Sequence, residues 1–329
     1  MRQILGILLG LGATTAWGAE TDSITGRDFM RDHLKKHPEM EKQAQKQIEN
    51  LLRRSLQQSI DAYNDEALSR RRKTCDQGKL FKIIERTMDK NLPQPVWKNS
   101  QPYVGFKGVG LDDSIYRGNR DLSMKLAYNP IVIPMNGVLF GLDKLDHMLS
   151  SGWLYYKVAS VKKKGLAKGF ELGLKQENGW HGLKFTGIKS YGDLAANYSG
   201  YLFWKSLFEG FSQPFAATPA ITCSNGLYVL SNRSLYLDKL ITPAFDEALN
   251  CNDYAPDVAE AFKRNFAERA KGKACPIEAD ACKKLMNHPL YRNGGEINVI
   301  PYVLNPKCSL DKNLMEEGGR RSDKRHGDL

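Results

Sequence analysis

No stretch of this chain reaches the roughly 18 uninterrupted apolar residues that a membrane-spanning helix needs, which argues against an integral helical membrane protein. Catalytic signatures are missing as well. There is no G-x-S-x-G elbow, Walker loop or dinucleotide fingerprint, and no H-E-x-x-H. None of the cysteine spacings is C-x2-C or C-x4-C, and no histidine stands beside them at ligand spacing, so no metal and no cofactor are expected. No recognisable nucleic-acid-binding motif accompanies the positive charge, and repeats of solenoid length are absent.

What is present begins at the first residues. Met1 and Arg2 precede a short apolar run, Ile4 to Leu11, and Ala16-Trp17-Gly18 supplies small residues where a signal peptidase cuts. A signal peptide over residues 1–18 is the reading, with the mature chain starting at Ala19 and exported to a periplasmic or secreted location. The six cysteines, Cys75, Cys223, Cys251, Cys275, Cys282 and Cys308, fit an oxidising compartment. Pairing is not fixed by sequence. The shortest loop favours Cys275 with Cys282, and Cys223 with Cys251 and Cys75 with Cys308 complete the expected set.

With 329 residues, 41% of them hydrophobic, the chain can bury one substantial core. Its formal charge of +11 favours anionic partners. Much of the excess lies in Arg70-Arg71-Arg72-Lys73, in Lys162-Lys163-Lys164 and in the tail around Arg320, Arg321, Lys324 and Arg325. For an exported protein, an anionic envelope polymer or lipid surface is the expected partner, and nucleic acid is not. Such runs are also ordinary solvated surface.

Residues 19–92 read as a charged helical region. Ile48, Leu52, Leu56, Ile60, Tyr63 and Ala67 recur at helical spacing and form one apolar stripe, suited to bracing the chain's own core or a partner protein. Pro93 and Pro95 break this pattern, and a main globular region follows over 93–310 with a basic, disordered tail at 311–329. Within it, short strands are expected at Tyr103–Phe106, Ile131–Ile133 and Leu227–Leu230. Helices are expected near residues 143–160, 165–177, 190–209 and 256–271. The fold class is therefore mainly α with a minor β component, built on a helical core and disulfide-stabilised towards its C-terminal end. Gly165, Gly169 and Gly173 form one four-residue ridge, and Gly192, Ala196 and Gly200 another, which are expected to pack against each other.

Polar groups gather along these helices. Asp143 and Ser190 stand where helix caps belong, each with an aspartate three residues later, Asp146 and Asp193. His147 lies one turn after Asp143 and one before Ser151, a spacing that lets a carboxylate orient its ring for acid-base work; a satisfied core histidine is the plain alternative. Asn197 follows Asp193 by one turn, and a network of His147, Asp193 and Asn197 would satisfy all three. Glu177 with Asp193 could form the carboxylate pair of a glycoside hydrolase. A metal held by His147, His181, Glu177 and Asp193 is conceivable without any spaced motif behind it. The candidate site residues are thus His147, Glu177, Asp193 and Asn197.

The blocks D-K-L-D-H (Asp143 to His147), E-N-G-x-x-G (Glu177 to Gly182) and S-Y-G-D-L-A-A-N-Y-S-G-Y-L-F-W (Ser190 to Trp204) resemble those of a family of uncharacterised exported bacterial proteins. The D-K-x-x-H start is also similar to VanZ-like and YfiM-like envelope proteins. This resemblance covers residues 143–204 and implies a bacterial envelope setting. Because no catalytic motif is complete, the reading is a non-catalytic envelope protein that binds an anionic component or a partner through its N-terminal helix; the alternative is an envelope hydrolase acting on a wall glycan or lipid, with His147 or Glu177 as acid-base residue and Asp193 and Asn197 orienting it.

Overall fold

The computed structural model describes residues 20–91, 110–118, 131–179, 182–210, 218–292 and 297–309. The leader, the Tyr103–Phe106 strand, His181 and the basic tail lie outside these residues. The described chain is mainly helical, with three two-stranded antiparallel sheets.

Helices α1 (Arg27–Lys36), α2 (Glu39–Ser69) and α3 (Gln77–Asn91) form the N-terminal region. Pro38 occupies the N-cap position of α2, and Glu39 and Glu41 follow in its first turn, where the positive end of the helix dipole favours acids. The stripe read from the sequence is buried along its whole length, against α3 and against two strands described below. It braces the chain's own core. That face is covered within the chain.

Next come β1 (Val132–Met135) and β2 (Val138–Gly141), joined at Asn136-Gly137. Both turn residues have positive φ, 55° and 72°, as a tight hairpin requires. The pair β4 (Ile221–Ser224) and β5 (Leu227–Leu230) repeats the device at Asn225-Gly226. Between the hairpins lie α4 (Leu142–Tyr156), which runs on into a π-helical turn Lys157–Val161, then α5 (Leu166–Glu177), the short strand β3 (Ile188–Lys189) and α6 (Tyr191–Phe208). Helix α7 (Pro256–Arg269) and short helical turns complete the described chain.

Helices α4 and α6 are the centre of the molecule, and α6 is buried on nearly every side. They touch backbone to backbone: a Cβ on Gly200 would lie 1.9 Å from the Met148 carbonyl oxygen, and one on Gly152 2.4 Å from the Gly200 Cα. The two glycine ridges do not pack on each other as their spacing suggested. Gly169 and Gly173 of α5 accommodate Tyr155 of α4, and Gly200 of α6 meets Gly152 of the same α4. A four-residue ridge marks a close neighbour without saying which helix supplies it.

The disulfides are Cys75–Cys223, Cys251–Cys275 and Cys282–Cys308. All three expected pairings, Cys275 with Cys282, Cys223 with Cys251 and Cys75 with Cys308, are corrected. Loop length decided the expectation, but α2 packs on β5 and carries Cys75 to the β4–β5 hairpin, across 148 residues. The other two bridges lie in the C-terminal part, as expected.

Candidate functional site

The first described residues do not lie on the surface. Glu20, Thr21, Asp22, Ser23 and Ile24 are all at most 4% exposed. Asp22 holds the segment in place, its Oδ1 accepting from the backbone N–H of Ile24 (2.8 Å) and Thr25 (2.9 Å) and its Oδ2 from that of Ile115 (2.9 Å). Thr21 donates its hydroxyl to Asp143 Oδ1 at 2.8 Å. Gly141 makes this approach possible, since a Cβ there would sit 2.4 Å from the Thr21 side chain.

Asp143 is therefore not the cap of α4. Gly141 takes that position, and Asp143 lies in the first turn, buried and turned towards the core. Ser190 is the cap of α6, as expected: its Oγ accepts from the Asp193 N–H at 3.1 Å. It does more than cap. The same hydroxyl donates to Glu247 Oε1 at 2.9 Å, and the Ser190 N–H donates to Glu177 Oε2 at 3.1 Å.

Lys144 occupies the middle of these groups and is fully buried. Its Nζ lies 2.6 Å from Asp143 Oδ2, 2.6 Å from Asp193 Oδ1 and 2.5 Å from Glu247 Oε1. Burial alone would discharge the ammonium, yet the carboxylates of Asp143, Asp193 and Glu247 hold its pKa well above the usual lysine range. Gly192 leaves room for it, because a Cβ there would meet the Lys144 Cε at 2.8 Å. Glu247 is fixed in turn by the Tyr116 hydroxyl (3.1 Å) and the Asn252 amide (2.9 Å). The β3 pairing with β6 (Asp253–Tyr254) brings the Glu247 loop beside the start of α6, and the Cys251–Cys275 bridge ties it there.

His147 stands at the edge of the cluster, its side chain 13% exposed. Its Nε2 is 3.2 Å from Asp193 Oδ2, so the orienting carboxylate comes from α6 and not from Asp143 on its own helix. Nδ1 meets Asn197. With the amide nitrogen facing the ring, Asn197 donates to Nδ1 at 3.1 Å, to the Asp193 carbonyl at 3.2 Å and to the His147 carbonyl at 3.3 Å. In that arrangement Nδ1 accepts and Nε2 carries the proton shared with Asp193.

Glu177, the last residue of α5, completes the set. His147, Glu177 and Asp193 each offer an atom within 4.8 Å of the others. Burial, and then the neighbouring Asp193, push the Glu177 carboxyl well above its ordinary range. The same two causes, joined by Glu247, do so for Glu20.

All four candidate residues thus meet in one place, together with Asp143 and Ser190. Lys144, Glu247 and Glu20 carried no role in the sequence reading. Lys144 lies inside the D-K-x-x-H block, where a lysine beside an aspartate reads as a surface pair. Glu20 and Glu247 sit in segments without periodicity. Against models of protein families, curated proteins and solved structures, the chain finds no match.

Proposed function

We propose that this chain is an exported cell-envelope hydrolase whose acid-base groups are His147 and Glu177. The observation that carries the reading is the cluster itself: five buried carboxyl groups, a buried lysine and a fixed histidine meet where an apolar core would cost far less. A carboxyl that retains its proton near neutrality is what a general acid requires, and Glu177 is pushed in that direction. His147 is the member with a solvent-facing edge, so a substrate would approach from its side. Three disulfides fit an oxidising compartment, and among the described residues no helix is long and apolar enough to cross a membrane. The leader expected at residues 1–18 and the resemblance to bacterial envelope proteins support a periplasmic or secreted setting and a wall glycan or lipid as substrate.

The test is incubation of the mature protein with purified sacculi and with membrane lipids, following soluble products by mass spectrometry. Release by the parent protein, and its loss in His147→Ala and Glu177→Gln variants that keep the parent melting temperature, is the expected result. No product from either substrate with the parent overturns the reading.

A second reading, non-catalytic binding of an anionic envelope component, is favoured by one surface feature. Lys162, Lys163 and Lys164 follow the π-helical turn and are all exposed, and no acidic side chain pairs with them among the described residues. Co-sedimentation with sacculi or anionic vesicles without any product would favour it.

A further inference from the structure

We infer that His147, Asp193 and Glu177 form a binding site for a divalent transition-metal ion of the kind that takes mixed nitrogen and oxygen ligands, such as Zn2+ or Mn2+. The site is the one on which the hydrolase reading rests; with an ion bound, His147 and Glu177 are its ligands and not acid-base groups, so ion binding stands or falls by its own measurement.

The cluster contains two triangles of possible ligands that share Asp193. In the first, Asp143, Asp193 and Glu247 surround the Lys144 ammonium, which supplies the positive charge. In the second, His147, Glu177 and Asp193 face one another; Lys144 takes Asp193 Oδ1, while Asp193 Oδ2 lies towards His147. Two ligand atoms about 2.1 Å from one ion lie about 3.0 Å apart at right angles and about 3.4 Å apart in a tetrahedron. His147 Nε2 and Asp193 Oδ2, 3.2 Å apart, already have that separation. One imidazole with two carboxylates suits Zn2+ or Mn2+ better than an ion that prefers oxygen alone.

Glu20 lies on the far side of Asp193, outside the triangle. Glu20 Oε2 is buried without a hydrogen-bond partner, and its strongest charged neighbours are carboxyl groups, Asp193 foremost and then Glu247. Across the whole cluster, Glu20, Asp143, Glu177, Asp193 and Glu247 face the one buried ammonium of Lys144 and the His147 ring.

Asn197 is placed to follow the change. When Nε2 binds an ion, the ring proton must sit on Nδ1, and the amide must turn so that its oxygen accepts there. The amide oxygen then occupies the same position, 3.1 Å from Nδ1. The turn sacrifices the amide's bonds to the carbonyls of Asp193 and His147.

The experiment is calorimetric titration of the metal-free mature protein with Zn2+, Mn2+ and Ca2+, together with thermal unfolding in each ion and extraction of the protein from its source for elemental analysis. Expected are one equivalent of Zn2+ or Mn2+ bound, a raised melting temperature, little response to Ca2+, and at least a hundredfold weaker binding in His147→Gln and Glu177→Gln. Because either variant could disturb folding, Asn197→Asp serves as a third. It keeps the size of the side chain and still accepts from Nδ1–H, so binding should persist or tighten. No binding to the parent, or binding unchanged in both ligand variants, overturns the site. Hydrolysis that survives complete chelation also removes any metal role from the reaction while leaving the hydrolase reading intact; binding without hydrolysis does the reverse.

Discussion

Lys144 of α4 and Asp193 of α6 meet at 2.6 Å with neither side chain more than 5% exposed. This contact joins the two central helices near one end, and the Gly152–Gly200 contact joins them further along. Replacing Lys144 with Met keeps much of the volume but leaves three buried carboxylates facing one another. Lys144→Met should destabilise the protein by about 3–5 kcal/mol, the range for breaking a buried ion pair from one side. Urea unfolding monitored by tryptophan fluorescence measures it, and a loss below about 1 kcal/mol would show that the carboxylates simply take up protons.

Glu177 predicts a pH dependence. Its pKa is raised in the folded state by burial and by Asp193. The unfolded chain therefore gives up this proton more readily, and folding stability falls as pH rises above the ordinary glutamate value near 4.5. Below that value the group costs nothing. Glu177→Gln cannot ionise, so in metal-free buffer its stability should fall less steeply between pH 5 and 8 than that of the parent. Parallel stability curves for the two proteins would contradict the assignment.

Much of this site was legible in the sequence because it lies on helices. The four-residue step from Asp193 to Asn197 places both on one face, and the Ser190 cap follows from S-x-x-D ahead of an apolar run. For His147 the sequence offers two carboxylates, Asp143 one turn away on its own helix and Asp193 in a network with Asn197, and the fold supplies Asp193. Glu247 and Glu20 could not be read at all, since each arrives in an irregular segment more than fifty residues from the group it serves. The disulfides failed for the same reason: short sequence separation is a guide to closure entropy, but the packing of α2 on β5 decides which cysteines meet. The Asn-Gly pairs at 136–137 and 225–226 each mark a hairpin turn.

The helix crossing gives a third prediction. A methyl group on Gly200 would lie 1.9 Å from the Met148 carbonyl oxygen, and backbone cannot move aside as a side chain can. Gly200→Ala should cost about 1–3 kcal/mol, and more if α4 and α6 must separate. Gly137→Ala is the control for tolerance of a methyl: nothing lies within 4 Å of a Cβ there, so its cost comes from the positive φ alone. Thermal melts of the two variants compare a packing penalty with a conformational one.

The bridge between Cys251 and Cys275 links stability to the charged centre. Cys275 Sγ lies 3.4 Å from the Glu247 carbonyl oxygen, and Asn252, next to Cys251, donates to the Glu247 carboxylate. Replacing both cysteines with serine should cost about 2–4 kcal/mol. It should also loosen Glu247, so amide exchange at residues 246–253 should accelerate more than in the Cys282→Ser, Cys308→Ser double variant. Equal exchange in the two would separate the bridge from the site.

The Cys75–Cys223 bridge closes a covalent ring that contains Asp143, Lys144, His147, Glu177 and Asp193. A single proteolytic cut anywhere in that ring leaves one molecule of unchanged mass apart from an added water, and its two halves separate only after reduction. A protease in the same compartment could nick this protein without releasing a fragment, and the nicked form would migrate as intact on any gel run without a reductant.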